Sequence, residues 1–184
     1  TGMEKSMKNQ YQNASNISAR IQLHNKYSTN TQGWFPWIFD QCHMAEHSTV
    51  LEIGCGDGSL WLENKEKIPK QLHVVLSDIS EGMLRDTRRA IHANVKTSRF
   101  DFQVFDCERI PYPDNSFDLV IANHILFYCK NLTSVFEEIS RVLKTGGTFV
   151  CSTYGAAHMK EINELVSEFD DRIVLSADRL FERF

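Results

Sequence analysis

The chain has 184 residues, 42% hydrophobic and 24% charged, with a formal net charge of -4 at pH 7, a composition that suits one globular domain with a buried core. The acidic balance gives no general attraction to nucleic acid or an anionic membrane, and no apolar run approaches the ~20 residues of a membrane span. The polar N-terminus has no signal-peptide pattern, and the five cysteines, at 42, 55, 107, 129 and 151 with no C-x-x-C pair, read as reduced thiols of a cytoplasmic protein.

Residues 1–48 differ in pattern from the rest of the chain. Ile17, Ile21, His24 and Tyr27 share one helical face, and Trp34, Trp37, Ile38 and Phe39 form an aromatic cluster. The plain expectation is an N-terminal helical segment packing an apolar face on the main domain. A sharper reading makes it a lid in which Tyr27 or Trp34 closes over a ligand. Cys42-His43 and His47 lack a second ligand pair at zinc-site spacing, so no metal site is expected.

From residue 49 onward strand and helix signals alternate, as in a parallel sheet built of βαβ units. Residues 50–53 predict a first strand of this core, 59–66 a short helix ended by Ile68-Pro69, and 73–77 a second strand, apolar as a doubly covered strand should be. Ser80 is placed to cap a helix running to about residue 93. Residues 100–105 predict a third strand near an edge, and 117–122 a fourth. Leu132, Val135, Phe136, Ile139, Val142 and Leu143 follow the i, i+3, i+4, i+7 pattern of an amphipathic helix. Lys144-Thr145-Gly146-Gly147 is expected to stop it, with Gly146 as its left-handed C-terminal residue. Residues 148–152 then read as a fifth strand, and 156–169 as a further helix through Met159, Ile162, Leu165, Val166 and Phe169.

The densest signal is Val50-Leu51-Glu52-Ile53-Gly54-Cys55-Gly56-Asp57-Gly58-Ser59. It reads as a strand ending on an acid, a glycine-rich turn and a helix start. Glycines at alternate positions let the backbone bend sharply and approach a ligand with no Cβ in the way. At the carboxyl end of a parallel strand such a turn is where open α/β sheets bind nucleotide-like ligands. The spacing is G-x-G-x-G rather than the dinucleotide G-x-G-x-x-G, which serves a pyrophosphate on a helix N-terminus. Asp78 closes the second strand, where a carboxylate can accept hydrogen bonds from both hydroxyls of a ribose. Cys55 in the turn and Cys107 past the third strand read foremost as small residues in tight places, although both could line the ligand site.

Four segments occur in order: residues 50–59; Leu76-Ser77-Asp78-Ile79-Ser80; residues 105–118, from Phe105-Asp106-Cys107 to Ser116-Phe117-Asp118; and Leu143-Lys144-Thr145-Gly146-Gly147. Over about residues 48–155 the chain resembles the class I, Rossmann-like S-adenosylmethionine-dependent methyltransferases of small-molecule type. The resemblance implies a doubly wound, mostly parallel α/β sheet that binds S-adenosylmethionine and releases S-adenosylhomocysteine. It implies that Gly54, Gly56 and Gly58, with Cys55 between them, shape a shelf under the methionine part of the cofactor, and that Glu52 supports its amino group. Asp78 would hold the ribose, Ile79 and Met83 would flank the adenine, and Asp106 would accept from the adenine amine beside the Cys107 backbone. Asn123 would offer its backbone carbonyl to the cofactor ammonium. His124 would face the methyl group as a general base, its ordinary pKa suiting that work, with Tyr128 and Tyr154 close by.

The full family fold has seven strands, the last two an antiparallel edge after a helical insert. Only 32 residues follow Ser152, too few for an insert plus two strands. Either the chain is truncated or its fold ends early; the favoured expectation is a truncated chain lacking the C-terminal antiparallel strands, its fifth strand an open edge, with residues 49–155 as the cofactor-binding core and 156–184 as the start of the insert. The leading function is methyl transfer by in-line displacement to a small-molecule acceptor, without nucleic-acid or membrane partners. The competing readings are a non-catalytic module binding S-adenosylmethionine or another nucleotide, and an NAD-dependent oxidoreductase, which the glycine spacing disfavours.

Overall fold

The computed structural model describes residues 20–25, 33–123, 129–153 and 160–165. In chain order the elements are β1 (Arg20–Asn25), α1 (Trp34–Cys42), β2 (Thr49–Ile53), α2 (Ser59–Leu62), β3 (His73–Asp78), α3 (Glu81–Asn94), β4 (Arg99–Val104), β5 (Phe117–Asn123), α4 (Leu132–Val142) and β6 (Leu143–Thr153). The six strands form one sheet in the order β1-β6-β5-β2-β3-β4. Every pairing among the described residues is parallel. Winding runs outward from β2 in both directions, so the topological switch point lies between β2 and β5.

Alternation along each strand divides the core into two layers, since successive side chains point to opposite faces. Leu51, Ile53, Val75, Val120, Ala122, Phe149 and Cys151 pack on one side with Val135, Phe136, Ile139 and Val142 of α4. Val50, Val74, Leu76, Leu119, Ile121 and Val150 pack on the other with α1, α2 and α3. Each α4 side chain so buried contributes about 1.5–3 kcal/mol, which explains why an 11-residue helix holds its place. Asn131 starts α4 by accepting the Ser134 N–H at 3.1 Å. Ser80 caps α3 as expected, accepting the Met83 N–H at 3.2 Å.

Five local expectations are corrected. Ile21 and His24 do not share a helical face: residues 20–25 are strand β1, and Ile21, Leu23 and their partners alternate with period two. β1 lies parallel to β6 with His24 opposite Ser152, so the fifth strand of the predicted core is not an open edge. Lys144-Thr145-Gly146-Gly147 is part of a strand rather than a helix-terminating turn. The helix stops at Val142, and the four residues form an irregularity inside β6, where the register with β5 jumps from Phe117↔Leu143 to Leu119↔Thr148. Gly146 does take a left-handed φ of 77°, as the bulged residue rather than a helix terminus. The helix after the glycine turn is also shorter than predicted, ending at Leu62 before a 3-10 turn at Lys65–Lys67. Trp34 is buried beside Trp37 in the core against α2, which removes it as a lid; Tyr27 lies outside the described residues. Of the predicted helix over 156–169, residues 160–165 are described and are helical, with Ile162 fully buried.

The loop between β4 and β5 is pinned by two side chains of α4. Arg141 of α4 donates to the carbonyls of Tyr112 (2.7 Å) and Ile110 (2.8 Å), to Asp114 (3.0 Å), and twice to Glu138 (2.9 and 3.0 Å). Glu138 in turn accepts the Ile110 N–H at 2.8 Å. This anchors the segment that begins with Asp106 and Cys107.

Candidate functional site

Open α/β sheets bind ligands outside the carboxyl ends of the strands at the switch point. Here the glycine turn after β2 and Asn123 at the end of β5 meet at that place. Gly54, Gly56 and Gly58 take φ values of 67°, 54° and 80°, which disfavour any side chain. A Cβ on Gly56 would meet nothing within 4 Å, whereas one on Gly58 would lie 2.9 Å from Thr87 Cγ2. Gly58 is therefore required for packing against α3, and Gly56 leaves an open shelf. Thr87 fixes the turn from below by donating its hydroxyl to the Gly56 carbonyl at 2.5 Å.

The contrast sets an expectation for two substitutions. Gly58→Ala should lower stability by about 2–3 kcal/mol, from left-handed strain and the Thr87 clash, read as a drop in urea midpoint. Gly56→Ala should cost only about 1 kcal/mol of stability while filling the shelf. Equal destabilisation by both would contradict the open-shelf geometry.

Asp78, at the end of β3, is tied into the turn. Its Oδ2 accepts the Gly56 N–H at 3.1 Å and its Oδ1 accepts the Ser80 N–H at 2.9 Å. The carboxylate is thus preset next to the shelf, with lone pairs left for further donors. Beside it, Ile79 is 75% exposed and Met83 43% exposed, two large apolar side chains bare at the carboxyl edge of the sheet. Asp106 and Cys107 follow β4 on the same edge. Asp106 organises its own turn by accepting the Glu108 N–H at 2.9 Å, and Cys107 Sγ lies 3.2 Å from Cys129 Sγ. Cys55 is buried within the turn, its N–H donating to the Ser77 carbonyl at 2.9 Å.

Glu52 lies beneath the shelf rather than on it. It is only 2% exposed, and its Oε1 accepts the Trp61 indole N–H at 2.9 Å. Burial pushes its pKa from 4.5 up to about 8, helped by the nearby charges of Asp78 and Asp57 and opposed by the Trp61 bond. Between those two values the folded chain holds a proton at this carboxyl that the unfolded chain has lost, so stability falls as pH rises from 4.5 to about 8. Glu52→Gln should flatten that slope, measured as urea midpoint against pH. An unchanged slope would show that Glu52 is ionised in the fold.

At the carboxyl ends of β5, β6 and β1, Asn123, Ser152 and His24 occupy one register row. Ser152 donates its hydroxyl to Asn123 Oδ1 at 2.7 Å. The Asn123 amide nitrogen is buried and has no hydrogen-bond partner among the described residues. His24 is fully buried edge-on to Trp37 at 5.0 Å, and burial lowers its pKa to about 4, so it is neutral. Sequence reasoning named Asn123 but missed Ser152 and the strand position of His24. The predicted base His124, with Tyr128 and Tyr154, lies outside the described residues.

A separate depression of about 380 Å³, lined by His73, Arg88, Arg99, Asp101, Gln103 and Tyr112 among others, flanks the edge strand β4. It contains none of the predicted cofactor residues, and His73 and Arg99 stand at the amino ends of their strands. The switch-point geometry therefore outranks it as the functional site.

The methyltransferase-domain family matches residues 51–151, more than half of the chain and the stretch that carries the glycine turn, Asp78 and Asn123. The chain belongs to the S-adenosylmethionine-dependent methyltransferase family. Among curated relatives it is similar to the demethylmenaquinone methyltransferase of Symbiobacterium thermophilum, 32% identical over 118 residues, covering 64% of this chain and 47% of that protein. It is also similar to the malonyl-[acyl-carrier protein] O-methyltransferase of Nitrosospira multiformis, 30% identical over 135 residues, covering 66% of this chain and 44% of the relative. The chain thus spans about half the length of these relatives. Its fold resembles the crystal structure of an S-adenosylmethionine-dependent methyltransferase from Mesorhizobium loti with a TM-score of 0.54 and 25% identity, covering 67% of this chain and 56% of the other. S-adenosylmethionine is the methyl donor of this methyltransferase family.

Proposed function

We propose that this methyltransferase holds S-adenosylmethionine across the switch point and transfers its methyl group to a small organic acceptor in the cytoplasm. The observation that carries the proposal is the open Gly56 shelf with Asp78 hydrogen-bonded into its edge and bare Ile79 and Met83 alongside. These residues fit the donor's chemistry. A carboxylate suits a ribose diol, a Cβ-free shelf suits the close approach of an amino-acid moiety, and two uncovered apolar side chains suit the faces of an adenine.

In this reading Gly54, Cys55, Gly56 and Gly58 form the shelf, Asp78 orients the ribose, Ile79 and Met83 flank the base, and Asp106 beside the Cys107 backbone accepts from the exocyclic amine. Asn123 offers its carbonyl to the ammonium, and Glu52 supports that group from beneath the shelf. When bound, S-adenosylmethionine supplies a methyl group on a sulfonium centre already activated for displacement. The chain's own task is then to align the acceptor, exclude water and take up a proton where the acceptor arrives protonated. His124, the residue after Asn123, is proposed for that last role from its place in the chain. His124→Ala should lower turnover by about a hundredfold and leave S-adenosylhomocysteine affinity unchanged; unaltered turnover would remove it from the mechanism.

The two named relatives act, by their names, on demethylmenaquinone and on malonyl-[acyl-carrier protein]. Neither is a nucleic acid, and the acidic charge of this chain supports the same choice. The test is to incubate the chain with methyl-tritiated S-adenosylmethionine and a bacterial extract separated into small-molecule, protein and RNA fractions. Label is expected in the small-molecule fraction. Label confined to RNA or protein would overturn the acceptor class, and binding with no transfer to any fraction would favour a non-catalytic module.

A further inference from the structure

Cys107 and Cys129 stand 22 positions apart in the chain, yet their sulfurs lie 3.2 Å from one another. Both are partly exposed, whereas Cys42, Cys55 and Cys151 are buried. Cys107 follows Asp106 directly, and Cys129 lies between the end of β5 and the start of α4. A disulfide bond is about 2.05 Å long, so closure requires the sulfurs to approach by roughly 1 Å, and neither cysteine is held inside a helix or strand. We propose that Cys107 and Cys129 form a reversible disulfide driven by hydroperoxides, which ties down the adenine-side rim of the cofactor pocket.

The rim role rests on the proposed cofactor site; the cross-link itself does not. The two thiols share a hydrogen bond in which either sulfur can donate, so the sulfur that accepts is the one more easily ionised, and it attacks first. Its thiolate displaces hydroxide from hydrogen peroxide, breaking the O–O bond, and becomes a sulfenic acid. The other thiol then attacks that sulfur; the S–S bond forms, the S–O bond breaks, and the second oxygen leaves as water with that thiol's proton. Two thiols and one peroxide yield one disulfide and two waters, and a dithiol reductant restores the thiols. Burial raises the pKa of Cys42, Cys55 and Cys151, which keeps them out of the reaction.

The test treats the whole chain with hydrogen peroxide, blocks remaining thiols with iodoacetamide and reads intact and peptide masses. The expected result is two fewer alkylated cysteines than in the reduced chain, a Cys107–Cys129 cross-linked peptide lighter by about 2 Da than its two thiol peptides together, full reversal by dithiothreitol, and no cross-link in Cys129→Ser. Sulfinic or sulfonic acids without a cross-link, or oxidation spread over Cys42, Cys55 and Cys151, would overturn the pairing. Calorimetry on the oxidised chain should show S-adenosylhomocysteine affinity reduced by about fivefold or more, restored by dithiothreitol, with Cys129→Ser insensitive to peroxide. Unchanged affinity in cross-linked protein would overturn the rim role. A reduced chain that binds no S-adenosylhomocysteine would instead count against the cofactor reading, because the cross-link is scored by mass alone.

Discussion

Asp78→Ala is expected to weaken S-adenosylhomocysteine binding by about a hundredfold, or about 2.7 kcal/mol. Hydrogen bonds to a charged acceptor contribute about 1.5–3 kcal/mol each, and a ribose diol offers this carboxylate two. The carboxylate needs no reorganisation to accept them, because Gly56 and Ser80 already hold it in place through their N–H groups. The same bonds give the substitution a structural cost. Removing the side chain leaves the Gly56 N–H without that acceptor, at about 1–3 kcal/mol, and this should be visible in denaturation without ligand. Asp78→Asn retains one acceptor oxygen and should fall between wild type and Asp78→Ala in both measurements. Affinity of Asp78→Ala within about threefold of wild type would exclude Asp78 from the binding site.

Arg141→Met should lower stability by about 3 kcal/mol. The side chain is about one-third exposed, so its ion pairs with Glu138 and Asp114 are screened and contribute little by themselves. The larger loss comes from the carbonyls of Ile110 and Tyr112, which the fork satisfies at 2.8 and 2.7 Å and which methionine would leave unpaired. The effect has a pH signature. Arg141, the main cause, holds Glu138 below its ordinary pKa of 4.5. This contribution is complete above about pH 4.5 and is lost as pH falls through the lower folded value. The difference in urea midpoint between wild type and Arg141→Met should therefore shrink below that pH. A difference that stays constant down to pH 3 would mean that the ion pair contributes nothing. Because Arg141 anchors the loop starting at Asp106 and Cys107, the same variant should bind S-adenosylhomocysteine more weakly.

Local chemistry made much of this site legible before the fold was known. The Gly54-to-Gly58 turn, β3 with its apolar Val74-Val75-Leu76 centre, and Ser80 as a cap are each specified by residues within a few positions of one another, and each stands where expected. Features made by distant segments were not legible. Ile21 and Leu23 alternate as a strand should, but in so short a run Ile17, Ile21 and His24 fit a helix equally well. The strand pairing is decided by Phe149 and Cys151, more than a hundred positions away. Gly146 signals a left-handed residue correctly, yet whether that residue ends a helix or bulges a strand depends on β5 being there to pair. The motif position of Glu52 implies support for the cofactor's amino group, whereas its bond to Trp61 arises from how α2 folds back under the turn. The Cys107–Cys129 contact has no sequence signature, because the two positions, 22 apart, meet only once the chain has folded.

The central claim is that the glycine shelf and Asp78 form an S-adenosylmethionine site. Its most direct test is calorimetric titration of the purified chain with S-adenosylhomocysteine, with NAD as the control ligand and Gly56→Ala as the control protein. Micromolar, one-to-one binding of S-adenosylhomocysteine is expected, with no binding of NAD and no measurable binding to a Gly56→Ala variant that remains folded. Tighter binding of NAD than of S-adenosylhomocysteine, or undiminished binding by the folded Gly56→Ala variant, would contradict it.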